Sequence, residues 1–308
     1  MTFLRLLAAA SAVLAAAAAP AAPRRAAPPA TFLVTSESGF TVPVTVNGRV
    51  LRLRVDPGVG RIILNPSAAA AAGIRGSMFG AQAQIGPVRI PGQTSLKRIA
   101  IGRWRTARRV VWFQRDVVAG ADGLIGIGML PYASTTLRLR APSPGERAVV
   151  LPVVPDDSQG LVYRHPVGTE RVRFHFRLFH PDSLATASAG AHLASLHGGT
   201  WAGEAVERPL MLGVVRPVRP MRFASPVSLA GLAIGELLVR TADFRGNYVL
   251  PTDPAAAAAA DPDEIVVTAN IGRGRAILTV SLGHDRLGRC SSLVYARAAR
   301  TLTLNCPA

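Results

Sequence analysis

Asp56 is the side chain in this sequence that is best placed to do chemistry. It ends an alternating apolar run, Val50–Val55, and Pro57-Gly58 follows at once, so a strand delivers its carboxylate to a turn. A carboxylate in such a place can accept hydrogen bonds from its own turn, which is a structural role. Beside a second carboxylate it can instead share a proton, so that one group acts as the base and the other as the acid.

The other polar residues do not form a recognisable metal or nucleophile site. His192 and His197 are five positions apart, rather than the four that place two ligands on one face of a helix. His175 and His180 flank the end of a predicted strand. The sequence contains no His-Glu-x-x-His, no Gly-x-Ser-x-Gly and no phosphate-binding loop. We therefore expect neither a metal ion nor another cofactor.

A predicted hairpin positions Asp56. The apolar-alternating runs Val42–Val46 and Val50–Val55 are separated by Asn47-Gly48, a pair that favours the tight turn between antiparallel strands. After the Asp-Pro-Gly loop comes a further apolar strand, Ile62–Leu64, and then an Ala-rich helical turn. This order predicts that the carboxylate lies between a hairpin and a short helix.

The hairpin, loop and helix resemble the first half of a retropepsin-like aspartic protease domain, whose loop reads Asp-Thr-Gly or Asp-Ser-Gly. A second stretch resembles the family segment in which two hydrophobic residues precede a glycine and a short helix. Leu124, Ile125 and Gly126 hold those three positions. The resemblance implies an all-β fold of the retropepsin-like or pepsin-like kind, with two lobes and a cleft between them.

The resemblance also implies a function, an endopeptidase that hydrolyses a peptide or protein substrate with Asp56. Gly58 would let two loops approach closely, while Leu124, Ile125 and Gly126 would support the loop from below. Pro57 replaces the family's threonine or serine, and Gly60 stands where the family has a serine or threonine, so both supports are missing and activity would be impaired. The alternative is a catalytically inactive relative that binds peptide or protein in the cleft.

The second carboxylate has two candidate sources. Asp182 is the only acidic residue in the matching loop of the second half, although that loop, His180–Leu184, lacks a glycine. Alternatively, Asp56 pairs with Asp56 of a second molecule, as in homodimeric retropepsins. The sequence leaves both arrangements open.

The chain divides into segments with different patterns. We predict a signal peptide at 1–22, a disordered linker at 23–30, a first lobe at 31–140, a connection at 141–170 and a second lobe at 171–308. Within the first lobe, 83–90, 95–101, 109–113 and 135–139 are predicted strands. Short helices are predicted at 66–72 in the first lobe and at 187–196 in the second. The second half repeats the order strand, Asp-containing loop and Ala-rich turn, which indicates an internal duplication.

The N-terminus indicates export. Arg5 precedes a short apolar run, and alanines after it offer cleavage sites for a signal peptidase. The run is too short for a comfortable membrane span, so we expect a periplasmic or secreted protein; an uncleaved anchor is the alternative. The net charge of +17 comes almost entirely from arginine, with Lys97 the only lysine, and no basic run is interleaved with aromatic residues. We therefore expect no nucleic-acid partner.

Cys290 and Cys306 are the only cysteines. They stand at the outer ends of two alternating runs joined by a turn at 296–300, which predicts a hairpin with both thiols at its open end. In an oxidising compartment such a pair favours a disulfide. Closing a loop of this size contributes about 3 kcal/mol in the chain-entropy picture.

Overall fold

The computed structural model describes residues 31–241, 250–251 and 277–307. Within these ranges the chain is mostly strand, which confirms the all-β prediction. The strands of the first half are β1 (Thr31–Thr35), β2 (Thr41–Val46), β3 (Arg49–Asp56), β4 (Ile62–Leu64), β5 (Gly80–Ile85), β6 (Val88–Ile101), β7 (Trp104–Phe113), β8 (Gly123–Gly126) and β9 (Ser134–Arg138).

The second half contains the remaining described strands and two of the helices. These strands are β10 (Glu146–Asp156), β11 (Gly160–Val167), β12 (Glu170–Phe176), β13 (Leu184–Ala185), β14 (Gly199–Trp201), β15 (Val206–Pro209), β16 (Val215–Leu229), β17 (Leu232–Arg240), β18 (Thr279–Leu282), β19 (Ser292–Ala296) and β20 (Thr301–Pro307). The helices are α1 (Pro66–Ala71), α2 (Ala187–His197) and α3 (His284–Leu287), with a 3-10 turn at Ile127–Met129. None of the helices in the described ranges is long and apolar enough to cross a membrane.

Six strands of the first half close into a barrel in the order β2, β3, β8, β4, β7, β6, and the pairing of β2 with β6 completes the ring. Val44 and Val46 on β2 and Leu53 and Val55 on β3 are fully buried inside it, as the two-residue period of a strand requires. The predicted hairpin is confirmed. At its turn, Asn47-Gly48 has positive φ at both residues, 52° and 85°, which matches the twist of the flanking strands.

The second half repeats the strand pairing of the first. In the barrel, β3 runs parallel to β8, β8 antiparallel to β4, and β4 parallel to β7. Likewise β12 runs parallel to β18, β18 antiparallel to β13, and β13 parallel to β17. Helix α1 follows β4, and α2 follows β13. The protein therefore has the two-lobed aspartic-protease-like fold, built from two copies of one pattern.

A central sheet joins the lobes in the order β1, β9, β19, β20, β10 and β11, and it continues into β12 of the second lobe. One hydrophobic core extends through both halves, since Leu53, Leu137 and Phe174 are fully buried members of the same cluster. Cys290 and Cys306 form the predicted disulfide at the open end of the β19–β20 hairpin, with their Cα atoms 3.9 Å apart. This link ties the end of the chain to the central sheet.

The structure corrects one prediction of local structure. Residues 83–90 are not one strand, because the chain reverses after Ile85 through Gly86, which has φ +57°, and Ile85 pairs with Val88. The apolar alternation changes phase at Gly86-Pro87, a pair that favours a turn, and the prediction of one strand overlooked this local signal. The segment 141–170 contains β10 and β11, and β10 lies in the central sheet. The predicted signal peptide and linker lie outside the described residues.

Candidate active site

Asp56 is the last residue of β3, and only 7% of it is exposed. The backbone N–H of Gly58 donates to its Oδ1 over 2.7 Å, so the carboxylate caps the turn that follows it. The backbone N–H of Val59 donates to the Asp56 carbonyl oxygen over 3.4 Å. These contacts hold the carboxylate at the end of the strand without help from the residue at position 57.

The segment after β7 supports the Asp56 loop from below. Leu124, Ile125 and Gly126 lie on β8 beside β3, and Asp56 is directly opposite Gly126 in the register. A Cβ on Gly126 would overlap the carbonyl oxygen of Val59 in the loop, so only glycine lets the two segments pass this closely. The structure therefore places all three predicted support residues under or beside the loop.

The turn between β10 and β11 covers the Asp56 loop from the other side. A Cβ on Gly60 would overlap the carbonyl oxygen of Asp156. Likewise, a Cβ on Gly160 would overlap the carbonyl oxygen of Pro57. The Leu161 N–H donates to the Pro57 carbonyl over 2.8 Å. No side chain fits at position 60, so the serine or threonine expected there from the family has no space in this protein.

The residue that corresponds to Asp56 in the second lobe is Arg177. In the first lobe Val55 pairs with Ile125, and Asp56 is opposite Gly126. In the second lobe Phe176 pairs with Leu282, so the next residue, Arg177, is level with Gly283. The Arg177 N–H donates to the Leu282 carbonyl over 2.8 Å, which continues this ladder.

Two further observations support this equivalence. Gly283, like Gly126, lies where a Cβ would overlap the loop above it, here the carbonyl oxygen of Asp182. The helices also match, because the same number of residues separates Asp56 from Asn65, the residue before α1, and Arg177 from Thr186, the residue before α2. The two loops therefore have the same length and are flanked by equivalent strands and helices.

Asp182 does not hold the position that faces Asp56. Counted along the matched loops, its counterpart in the first lobe is Arg61. Its carboxylate lies 3.5 Å from the guanidinium of Arg208 on β15, and 30% of its side chain is exposed. Its carbonyl oxygen lies 2.8 Å from Nδ1 of His180. The structure thus assigns Asp182 to a surface ion pair and does not bring it to Asp56.

The two loops meet, although the groups they bring together are an acid and a base of opposite charge. A Cβ on Gly58 would lie 2.8 Å from the carbonyl oxygen of Phe176 and 3.0 Å from Cγ of Arg177. Gly58 is therefore the point of close approach between the two loops. The side chain brought up to the Asp56 loop at this point is that of an arginine, where the family mechanism requires an aspartate.

Burial is the main influence on the Asp56 carboxyl and raises its pKa to about 6. The hydrogen bond from Gly58 and the charges of Arg177 and Arg54 act in the opposite direction. Burial also lowers the pKa of Arg177, while the negative charge of Asp56 raises it and the positive charge of Arg240 lowers it further. The pair is thus coupled electrostatically in a site that is poorly solvated.

Sequence analysis missed Arg177 and Arg54 as members of this site. Arg54 reaches from β3 to donate to the Ala119 carbonyl over 3.1 Å, and its guanidinium lies 5.1 Å from the ring centre of Phe179 in the second loop. The signal that could have found Arg177 was the spacing from the loop to the following helix. Aligning the two halves on their helices, rather than on their acidic residues, places Arg177 opposite Asp56.

The comparisons with known proteins agree with this geometry. No curated protein matches the chain. The family model that matches is described as Aspartyl protease, and it covers residues 42–129, from the first strand of the hairpin to the 3-10 turn after Gly126. The barrel that presents Asp56 is therefore similar to the aspartyl protease family over these residues.

Proposed function

We propose that this protein is a non-hydrolytic member of the aspartyl-protease fold, which binds peptide or protein segments in the cleft between its lobes. The observation that carries the proposal is the strand register that puts Arg177 at the counterpart of Asp56. The two lobes that form the cleft are retained, while a positively charged arginine stands where the catalytic pair would need its second carboxyl group.

The chemistry of peptide hydrolysis explains why this change matters. An aspartic protease uses one ionised carboxylate to activate water and one protonated carboxyl to polarise the scissile carbonyl. A guanidinium cannot take up the proton that the water loses, since it stays protonated in proteins. Asp56 alone supplies only one of the two carboxyl groups that this mechanism requires. The pair of Asp56 and Arg177 therefore supports electrostatic binding rather than acid–base turnover.

A homodimer would not restore the pair in this structure. Two Asp56 loops can meet only if each is open, yet the loop is packed against Phe176 and Arg177 on one side. The turn between β10 and β11 closes the other side, at Asp156 and Gly160. The chain's own second half thus occupies the place that a second molecule's loop would need.

The cleft retains a feature that suits peptide binding. The turn of the β5–β6 hairpin overhangs the second lobe, since Gln84, Ile85 and Gly86 line one cavity together with Arg177. A hairpin that covers a cleft can close over an extended chain while the groups below it contact the side chains. Binding therefore needs only the cleft, which does not depend on a second carboxylate.

Export to the periplasm or the exterior is part of the proposal. The N-terminal pattern of the sequence supports it, and so does the Cys290–Cys306 disulfide, because such bonds persist mainly in oxidising compartments. Cell fractionation tests it: the processed protein should appear outside the cytoplasm with its N-terminus after residue 22 or nearby. Recovery of the unprocessed chain from the cytoplasm would contradict it.

The test of the main proposal compares cleavage with binding in one experiment. The purified protein and its Asp56→Asn variant are each incubated with a library of short peptides between about pH 3 and pH 7, where a shared-proton pair would operate. We expect no cleavage that depends on Asp56, and we expect a subset of peptides to be retained by the immobilised protein. Cleavage by the wild type that disappears in Asp56→Asn would overturn the proposal.

A further inference from the structure

A cavity of about 250 Å³ lies between the β5–β6 turn and the second lobe. Its wall carries polar and charged side chains from several elements of the second lobe, while apolar residues fill the spaces between them. The charged and titratable members are Arg177, Arg240, His175 and His180. Its size is slightly below the range of about 300–1000 Å³ that is usual for drug-sized ligands, so it suits one side chain or a chain end.

Positive charge faces this cavity from two directions. Arg177 and Arg240 both line it, and they are close enough that the charge of Arg240 lowers the pKa of Arg177. Thr186 and Ser188, at the beginning of α2, also line it. The N-terminal end of a helix carries partial positive charge, so α2 adds to the field of the two guanidinium groups.

Among the described residues, the hydrogen-bond partner of the Arg177 side chain on this side is a weak acceptor. Its Nη1 lies 2.7 Å from Sδ of Met211, another cavity residue, and a thioether sulfur is a poor hydrogen-bond acceptor. A guanidinium has five N–H donors in a planar fork that fits the two oxygens of a carboxylate. Asp56 is not among the cavity residues, so its charge balances Arg177 without occupying the cavity.

His175 provides a second, independent indication of a ligand. Only 3% of it is exposed, it lines the cavity, and its buried Nε2 has no hydrogen-bond partner among the described residues. Burial lowers the pKa of its imidazole to about 3, with the charges of Arg177 and Arg173 acting in the same direction. The ring is therefore neutral near pH 7, and an unsatisfied polar atom in a buried position calls for a partner.

We propose that this cavity binds a carboxylate group of a peptide, with Arg177 as the main contact. The inference rests on the proposed function, because a peptide's negative charges are carboxylates, either on a side chain or at the C-terminus. Among the described residues that line the cavity none is acidic, so nothing there repels such a group. The apolar wall, which includes Ile85 and Leu184, packs against the carbon atoms that carry it.

The test uses four probes in titration calorimetry: N-acetyl-Ala-Glu amide, N-acetyl-Ala-Gln with a free C-terminus, N-acetyl-Ala-Gln amide and inorganic phosphate. Arg177→Met removes the proposed contact at similar volume. Arg164→Gln is the matched control, because Arg164 is an exposed arginine on β11 that does not line the cavity. The first two probes distinguish a side-chain carboxylate from a terminal one.

We expect at least one carboxylate probe to bind about tenfold more tightly than the neutral amide, the size of one charge-assisted hydrogen-bond contact. Arg177→Met should abolish this preference, and Arg164→Gln should keep it. Equal binding of charged and neutral probes, an unchanged preference in Arg177→Met, or a preference for phosphate over both carboxylates would each overturn the inference. Library peptides that bind without any carboxylate preference would contradict this inference and leave the proposed function intact. Asp56-dependent cleavage would instead overturn the proposed function.

Discussion

The Asp56 loop and the Arg177 loop are flanked by equivalent strands and helices and carry opposite charges. Each follows a strand that pairs in parallel with a strand at whose end a glycine stands, Gly126 as the last residue of β8 and Gly283 just after β18, and each leads to a short strand and a helix. The pairing is held by backbone hydrogen bonds and by buried apolar residues, neither of which depends on the side chain at the strand end. The fold can therefore persist after that side chain has changed from an acid to a base.

The two loops also differ in how tightly they are enclosed. Gly60 lies against the Asp156 carbonyl with no space for a Cβ, whereas its counterpart in the second loop is Pro181, which carries a full ring. Close packing on the Asp56 side keeps the carboxylate buried, and its pKa is raised for that reason. Burial of the Asp56 carboxylate in the first loop is therefore electrostatically unfavourable, and the positive charge of Arg177 in the second loop offsets part of this effect.

The largest effect should come from adding one methyl group to the enclosed loop. In Gly60→Ala, Cβ would overlap the Asp156 carbonyl oxygen, and backbone on both sides must move. We expect a loss of about 3 kcal/mol or more in the free energy of unfolding, the upper range for overpacking. Urea denaturation measures it.

Gly235→Ala is the matched control for this substitution. Gly235 lies on β17, with no atom within 4 Å of the position of a Cβ and no positive φ. Its variant should stay within about 0.5 kcal/mol of the wild type. If Gly60→Ala were as stable as this control, the loop would not be enclosed as described.

The next effect concerns the charge that faces Asp56. Arg177→Asp replaces the compensating cation with a like charge, so the pKa of Asp56 should rise beyond about 6. We expect a loss of about 3 kcal/mol at pH 8, where both carboxyls are ionised, and a smaller loss at pH 5. Denaturation curves at the two pH values give the difference.

Arg177→Met separates the two parts of this effect, since it removes the cation without adding an anion. Its loss should be smaller than that of Arg177→Asp at pH 8. If the two variants lost the same amount at both pH values, Arg177 and Asp56 would not be coupled, and the matching of the two loops would be wrong.

The smallest effect is the pH dependence that Asp56 itself produces. Its pKa is about 6 in the folded protein and about 3.9 in an unfolded chain, so the folded state binds the proton more tightly. The associated stability is fully present below about pH 4 and is lost as the pH rises through 6, by about 2–3 kcal/mol in total. Asp56→Asn keeps an oxygen that can accept the Gly58 hydrogen bond and should remove this dependence.

Urea denaturation between about pH 4 and pH 7 gives the free energy of unfolding of the wild type and of Asp56→Asn. The difference between the two curves excludes contributions from other titrating groups. Asp116→Asn is the control, because Asp116 is exposed. We expect its pH dependence to follow the wild type. A difference curve for Asp56→Asn that is flat across this range would show that the Asp56 carboxyl has no raised pKa.

Much of the architecture could be predicted because its signals are local. The Asn47-Gly48 turn depends on two adjacent residues that accept positive φ, and the Cys290–Cys306 link depends on two strands joined by one short turn. The reversal after Ile85 was missed because the apolar residues before and after Gly86-Pro87 were joined into one run, although that pair favours a turn. Local pattern is informative only where the residues that decide a structure stand next to each other.

The candidate site shows the limit of such reasoning. The sequence by itself determined that a hairpin presents Asp56 to a glycine-containing loop, and its family resemblance indicated that Leu124, Ile125 and Gly126 form the segment beside it. Only the tertiary structure decided which residue faces that carboxylate, because the answer depends on the register of β12 against β18, which are separated by about a hundred residues of chain. Side-chain type pointed to Asp182, whereas backbone hydrogen bonding between distant strands selects Arg177.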